Sequence, residues 1–355
     1  MLDINIKSSL HDYEVKFIDN VSEILNNEIQ DCDVIIIDNN VRNLYPDLLK
    51  NINDNNKIVG LDANENQKSY EGLIPLIQKL INNGFKKNHR LIAIGGGIIQ
   101  DITAFMASIM YRGVMWIFFP TTLLSQGDSC IGSKTSINFR EFKNQIGGFY
   151  PPEKIFINID FLNTLSHRDL QSGLGEMSHY FVVAGESEFK EYKQDYKNVF
   201  IDKKILLKMI SNSLRIKKGY IEIDEFDKKE RQVFNYGHSF GHAIESLTNY
   251  EVAHGIAVSI GMDIANYISV KRGILSQTVR FEIRELLEKI WEGYDLKNIN
   301  ITKLLTALSK DKKNVGKELR LILCKGYGKL FKTAQNNDDE FKKWIKEYFD
   351  KEFQN

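Results

Sequence analysis

Cysteine is scarce. The three present, Cys32, Cys130 and Cys324, lie far apart and form neither a paired metal motif nor a disulfide framework, so a reducing, cytoplasmic setting is expected. Neither sign of charge is in excess, since 47 Lys and Arg balance 47 Asp and Glu. That argues against nucleic acid as a partner held by the whole surface and leaves room for a local basic pocket. Long apolar runs are missing too: the most apolar stretch, residues 114–124, contains Pro120 and is too short to cross a bilayer. The first seven residues lack the apolar core and small-residue cleavage site of a signal peptide, and no membrane partner is expected. What remains is an ordinary globular composition, 43% hydrophobic and 26% charged, over 355 residues, enough for two domains.

The first half alternates β-branched runs with amphipathic segments. Residues 34–37, 57–61, 90–94, 115–119 and 154–159 read as strands, with helices predicted over 73–81 and 98–109. Strands separated by helices imply a parallel sheet covered on its faces. Past residue 161, helical periods take over at 168–184, 203–218, 230–247 and 255–270, with a short strand at 319–324 and a polar amphipathic helix at 338–350.

Only seven histidines occur, and three fall close together: His238, His242 and His254. His238 and His242, four apart, share a helix face with Glu245, and an antiparallel return would bring His254 alongside. Glu176 lies among small and apolar residues on another helix. Two imidazoles, a carboxylate and an open fourth position suit zinc or a related divalent ion. Spacing leaves open which two histidines would ligate, and a capping, packed and surface set is the other reading. Gly95-Gly96-Gly97 follows a strand and opens a helix, where a tight turn can present N–H groups to phosphate, with Asp101 placed for a ribose hydroxyl. It matches neither the Gly-x-Gly-x-x-Gly nor the P-loop pattern, and close helix–strand packing explains it equally. Residues 132–138 and 143–150, dense in glycine and small polar residues, read as ordered loops. Lys134, Asn138, Lys143 and Asn144 on them can clamp a phosphate or nucleotide, with Lys217, Arg231, Lys312 and Lys313 as further positive charge.

Several of these stretches, in order along the chain, resemble the 3-dehydroquinate synthase family of sugar-phosphate cyclases. The resemblance rests on Gly95-Gly96-Gly97-Ile98-Ile99-Gln100-Asp101, on residues 120–129 (Pro-Thr-Thr-Leu-Leu-Ser-Gln-Gly-Asp-Ser), on Lys143-Asn144-Gln145-Ile146-Gly147-Gly148 and on Asn235-Tyr236-Gly237-His238-Ser239-Phe240-Gly241-His242. It implies an α/β, Rossmann-like, NAD-binding domain over residues 1–160 and a mainly α-helical, metal- and substrate-binding domain over 161–355, with the active site between them. The implied metal ligands are Glu176, His238 and His254, holding zinc or cobalt. The implied NAD contacts are Asp38, Glu65, Lys68, Gly96, Gly97, Asp101, Thr121, Thr122 and Lys143. The sugar phosphate falls to Asp128, Lys134, Asn144, Lys217, Arg231, Asn235, His242, Lys312 and Lys313. Arg112 matches an arginine that reaches the phosphate bound by a neighbouring subunit, which implies a homodimer. The implied reaction is cyclisation of 3-deoxy-D-arabino-heptulosonate 7-phosphate to 3-dehydroquinate with loss of phosphate. One position departs: the quinate-forming enzymes carry lysine three residues after the metal-binding glutamate, and this chain has His179. Imidazole is shorter and, unperturbed, mostly neutral at neutral pH. Two alternatives therefore stand beside the first: a cyclase acting on sedoheptulose 7-phosphate or another modified sugar phosphate, and a metal-dependent alcohol dehydrogenase of the glycerol dehydrogenase type.

Overall fold

A computed structural model of the chain describes residues 2–52, 57–140, 142–296, 299–309 and 318–353. The chain divides into two units, Met1–Leu165 with Ile210–Phe226, and Ser166–Met209 with Asp227–Asn355. The first unit thus takes in one later helical stretch, Ile210–Phe226.

The first unit carries β1 (Ile4–Ile6), β2 (Tyr13–Phe17), β3 (Val34–Asp38), β4 (Ile58–Leu61), β5 (Leu91–Gly95), β6 (Trp116–Pro120), β7 (Lys134–Phe139), β8 (Phe142–Phe149) and β9 (Lys154–Ile157). Seven of them form one sheet in the order β1-β2-β9-β6-β5-β3-β4, parallel except for the β1–β2 pair. Every residue of β5 and β6 is buried, which is why these strands read as unbroken apolar runs without alternation. Ile35, Ile37, Ile92, Ile94, Ile117 and Phe119 share one core cluster with Leu25. Helices α1 (Val21–Glu28), α2 (Asn39–Leu44), α3 (Tyr70–Asn82) and α4 (Gly97–Ile109) belong here, along with the later helical stretch from Ile210. The chain adds β4 outside β3 and then returns across β3 to β5. That reversal makes the carboxyl ends of β3 and β5 the topological switch point, where open α/β sheets bind ligands in a crevice.

Two sequence expectations fail in this unit. β1 and β2 went unread, because three and five residues show too little periodicity. Residues 132–138 and 143–150 are no loops: β7 and β8 pair antiparallel, with Lys134 opposite Phe149, Ser136 opposite Gly147 and Ile137 opposite Ile146. Gly147 serves a close approach there, since a Cβ on it would lie 1.9 Å from the Thr135 carbonyl oxygen.

The second unit is built from α5 (His167–Ala184), α6 (Glu186–Asp195), the start of α7 (Lys203–Ile223), α8 (His238–Leu247), α9 (His254–Lys271), α10 (Gln277–Ile290), α11 (Ile301–Ser309) and α12 (Asp339–Glu347). An antiparallel hairpin of β10 (Glu318–Cys324) and β11 (Leu330–Asn336) completes it. Residues 255–269 of α9 are all buried, and α5, α8 and α10 pack around it, so the helix shows no single apolar face. The helix predicted over 230–247 is broken in two. A 3-10 turn at Glu230–Asn235 ends before Gly237, whose φ of +81° is left-handed, and α8 starts at His238. Glycine alone takes that angle without strain. All three cysteines are free thiols. Among the described residues no helix is long and apolar enough to cross a membrane.

Candidate active site

Three helices of the second unit bring Glu176, His238 and His254 together, and glycines set how closely they approach. On α5, a Cβ at Gly175 would lie 2.2 Å from the carbonyl oxygen of Gly255 on α9, and one at Gly255 would lie 1.8 Å from that of Ser172. The Gly255 N–H donates to Ser172 Oγ at 3.0 Å, tying the start of α9 to α5. Glu176 and His254, the neighbours of these two glycines, are thereby brought face to face. Gly175→Ala should force the helices apart, costing about 1–3 kcal/mol of stability and weakening cation binding. Urea unfolding and Co²⁺ dialysis would read both effects, and an unaltered Co²⁺ affinity would refute the role of the contact.

Glu176 is 3% exposed. Its Oε1 lies 3.3 Å from His238 Nε2 and its Oε2 lies 3.4 Å from His254 Nε2. The other face of each imidazole is already engaged. His238 Nδ1 meets the Tyr236 carbonyl oxygen at 3.2 Å, and His254 Nδ1 meets Glu245 Oε2 at 2.8 Å. Carbonyl and carboxylate oxygens only accept, so both Nδ1 atoms carry protons. The Nε2 atoms then turn lone pairs toward a carboxylate, and Glu176 Oε2 is buried with no hydrogen-bond partner. Acceptors converging in this way require positive charge between them, and one divalent cation meets all three at once. His254 keeps about a third of its side chain exposed, which leaves the open side that a reacting molecule needs.

Two further histidines of this unit lie beside these ligands. His242 is exposed and stacks on His254, with centroids 5.5 Å apart and planes 24° apart. His179, 1% exposed, packs its ring 4.0 Å from Tyr180 and 5.5 Å from His238, with Nδ1 3.9 Å from Glu176 Oε1. Arg231 and Asn235 lie on the 3-10 turn just before α8; Arg231 is buried and Asn235 donates to the Gln232 carbonyl oxygen at 3.1 Å. Lys312 and Lys313 lie outside the described residues.

In the first unit, most of the expected dinucleotide contacts surround the switch point. Asp38 closes β3 and caps α2, accepting from the Asn40 N–H at 2.9 Å, with burial lifting its carboxyl. Gly96 occupies the N-cap of α4 without a side-chain cap, so the first N–H groups of that helix are open to an anion. A Cβ on Gly96 would meet the Thr122 methyl at 2.9 Å, and Thr121 N–H donates to the Gly95 carbonyl oxygen at 3.0 Å. Lys68 and Asp101 form an ion pair at 2.7 Å, and burial still keeps the Asp101 carboxyl raised. Glu65 accepts from Asn138 Nδ2 at 2.7 Å and pairs with Lys143 at 3.0 Å, and these contacts overcome its burial to lower its carboxyl. Farther along, Lys217 Nζ donates to both the carbonyl and the carboxylate of Asp128, each at 2.7 Å. Lys134 opens β7 and is exposed, while Asn144 on β8 has φ +55° and donates its N–H to Asn138 Oδ1 at 3.0 Å. Arg112 is exposed on a strained turn, with φ of +50°, +64° and +116° at Tyr111, Arg112 and Gly113. Sequence reasoning missed the Gly175–Gly255 contact and the Tyr236 carbonyl. The Gly-Glu and His-Gly pairs could have pointed to the contact, whereas a backbone oxygen leaves no sequence signal.

The chain is similar to known proteins along most of its length. The 3-dehydroquinate synthase N-terminal model matches residues 58–172 and the 3-dehydroquinate synthase C-terminal model matches residues 173–314. The 3-dehydroquinate synthase of Dictyoglomus thermophilum is 39% identical over 276 residues, 77% of each chain. That of Streptococcus equi subsp. equi is 33% identical over 360 residues, 98% of each chain. Among solved structures, 2-deoxy-scyllo-inosose synthase complexed with carbaglucose-6-phosphate, NAD⁺ and Co²⁺ is 24% identical with a TM-score of 0.84, over 98% of this chain and 99% of that one. The 2-epi-5-epi-valiolone synthase from Streptomyces hygroscopicus subsp. jinggangensis 5008, with NAD⁺ and Zn²⁺ bound, is 23% identical with a TM-score of 0.82, over 94% and 95% of the two chains. At such identities the likeness speaks for the fold: a Rossmann-like parallel sheet followed by a helical part.

Proposed function

Because the chain belongs to the 3-dehydroquinate synthase family of carbon–oxygen lyases, we propose that it cyclises 3-deoxy-D-arabino-heptulosonate 7-phosphate to 3-dehydroquinate and phosphate, using NAD and one divalent cation, zinc or cobalt. The observation that carries this reading is the convergence of Glu176 with the Nε2 atoms of His238 and His254. Bound NAD would supply a transient oxidation of the sugar, and the cation would polarise the reacting oxygen. The chain's own residues bind and orient. Arg231 can pair bidentately with the substrate carboxylate, a geometry lysine cannot copy. Lys134, Asn144 and His242 hold the phosphate, joined by Arg112 from a second subunit of a homodimer. Lys217, its Nζ held by Asp128, and Asn235 orient the ring hydroxyls, and Lys312 and Lys313 add positive charge for the anionic substrate. The switch-point residues named above, from Asp38 to Lys143, receive the dinucleotide. Three free cysteines suit a reducing cytoplasm.

A phosphate-release assay tests the reaction. Release is expected to require NAD while no NADH accumulates, because hydride returns within each turnover. Stoichiometric NADH would overturn this reading in favour of an alcohol dehydrogenase.

The buried imidazole at position 179 favours a second reading, a cyclase for sedoheptulose 7-phosphate or another sugar phosphate without the carboxylate. Offering both heptulose phosphates side by side separates the two. Under the second reading His179→Lys should leave quinate formation flat or lower. A tenfold or greater gain, about 1.4 kcal/mol of barrier, would instead return the chain to the quinate-forming set.

A further inference from the structure

We infer that Glu245 is the positioning residue of the cation centre, fixing the ring of His254 and supplying the second negative charge that a dication needs. The inference rests on the metal reading above. The two imidazoles of the centre are oriented by unlike means. His238 leans on a backbone oxygen, the Tyr236 carbonyl at 3.2 Å. Tyr236 is itself fully buried and anchored through its hydroxyl to Asn266 Oδ1 at 2.6 Å, so no side-chain change nearby releases it. His254 depends on a side chain, the Glu245 carboxylate at 2.8 Å. That carboxylate lies on α8, nine residues earlier in sequence, and has only 14% of its side chain exposed.

A carboxylate behind an imidazole holds one tautomer, restrains ring rotation and raises the basicity of the far nitrogen. Here the far nitrogen is the Nε2 that faces Glu176. Glu176 and Glu245 together carry two negative charges, matching a dication. The same carboxylate is also placed for another role, since His242, Glu245 and His254 could hold an ion of their own. The short Nδ1–Oε2 hydrogen bond decides against that, because an ion there would have to displace it.

Equilibrium dialysis of Co²⁺ against the full chain, with the visible cobalt spectrum and metal-free melting curves, tests the assignment. The unaltered chain should take up one Co²⁺. Glu245→Ala should weaken that binding about 10–100-fold, change the cobalt spectrum and leave the metal-free melting temperature unaltered. Glu245→Gln, which keeps an oxygen for the Nδ1 proton but no charge, should fall between the two and serves if the alanine variant does not fold. Equal affinity in all three chains overturns the inference while leaving the cation reading intact. Two Co²⁺ per unaltered chain, one of them lost in Glu245→Ala without weakening the other, overturns it in favour of a second ion. No Co²⁺ on the unaltered chain removes the cation reading itself.

Discussion

His238→Ala is expected to lower turnover by at least about a thousandfold, or about 4 kcal/mol of barrier, with the fold retained. The size follows from where the imidazole stands. Its Nε2 is one of three donors around a single point, and its removal leaves Glu176 and His254 to hold a dication between them. The ring is only partly buried, with 13% of its side chain exposed, so its loss opens a small, wet gap rather than a core cavity. Glu176→Gln should be comparably severe, because the neutral amide withdraws the centre's only fully buried negative charge. Phosphate release, Co²⁺ dialysis and far-UV circular dichroism measured on the same samples would check this. Turnover above about a tenth of the original in a folded, cation-free His238→Ala chain would sink the assignment of the centre.

Asp263→Ala should produce the largest loss of stability, about 3–5 kcal/mol. Asp263 is fully buried on α9, the helix that begins at His254. Its carboxylate takes two parallel bonds from Arg280 at 3.0 Å each, one from Arg284 at 3.1 Å and one from the Tyr348 hydroxyl at 3.0 Å. Arg280 also reaches Glu352 at 2.7 Å, so the cluster pins the segment after α12 to the core. Removing the carboxylate takes a fully buried anion from two guanidinium groups and leaves Arg280 only its contact with Glu352 and Arg284 its contact with Glu288, both more exposed carboxylates, and breaking a buried pair from one side costs far more than lacking the pair. The lower urea midpoint should come with an unaltered slope. Replacing Asp263, Arg280 and Arg284 together by apolar residues of similar volume should recover most of the loss. A single-variant cost below about 1 kcal/mol would show that the cluster contributes little. Co²⁺ binding by the folded fraction of Asp263→Ala should persist, which separates this lesion from that of His238→Ala.

How much of this was legible beforehand depends on periodicity. The parallel strands β3, β5 and β6 were plain because strands buried on both faces carry unbroken apolar runs. The hairpin β7–β8 was misread as two loops, since glycine, serine and asparagine at strand positions erase the alternation that marks a strand. The break at Gly237 was missed because residues 230–247 keep a helical apolar spacing across it. Only the left-handed φ at that glycine shows that His238 begins a helix instead of riding in the middle of one.

By itself the sequence determined which chemistry was on offer: two imidazoles four residues apart, a third nearby, a carboxylate among small residues, and a glycine turn between strand and helix. Composition and local order are properties of the chain read one segment at a time, and they set the family. Tertiary structure alone decided which nitrogens face Glu176, because a tautomer is chosen by what lies behind each ring, a carbonyl for His238 and the Glu245 carboxylate for His254. It also decided that His179 is buried beside Glu176, and that α5 and α9 touch through Gly175 and Gly255. Contacts between residues distant in sequence depend on packing in three dimensions, for which spacing along the chain carries no record.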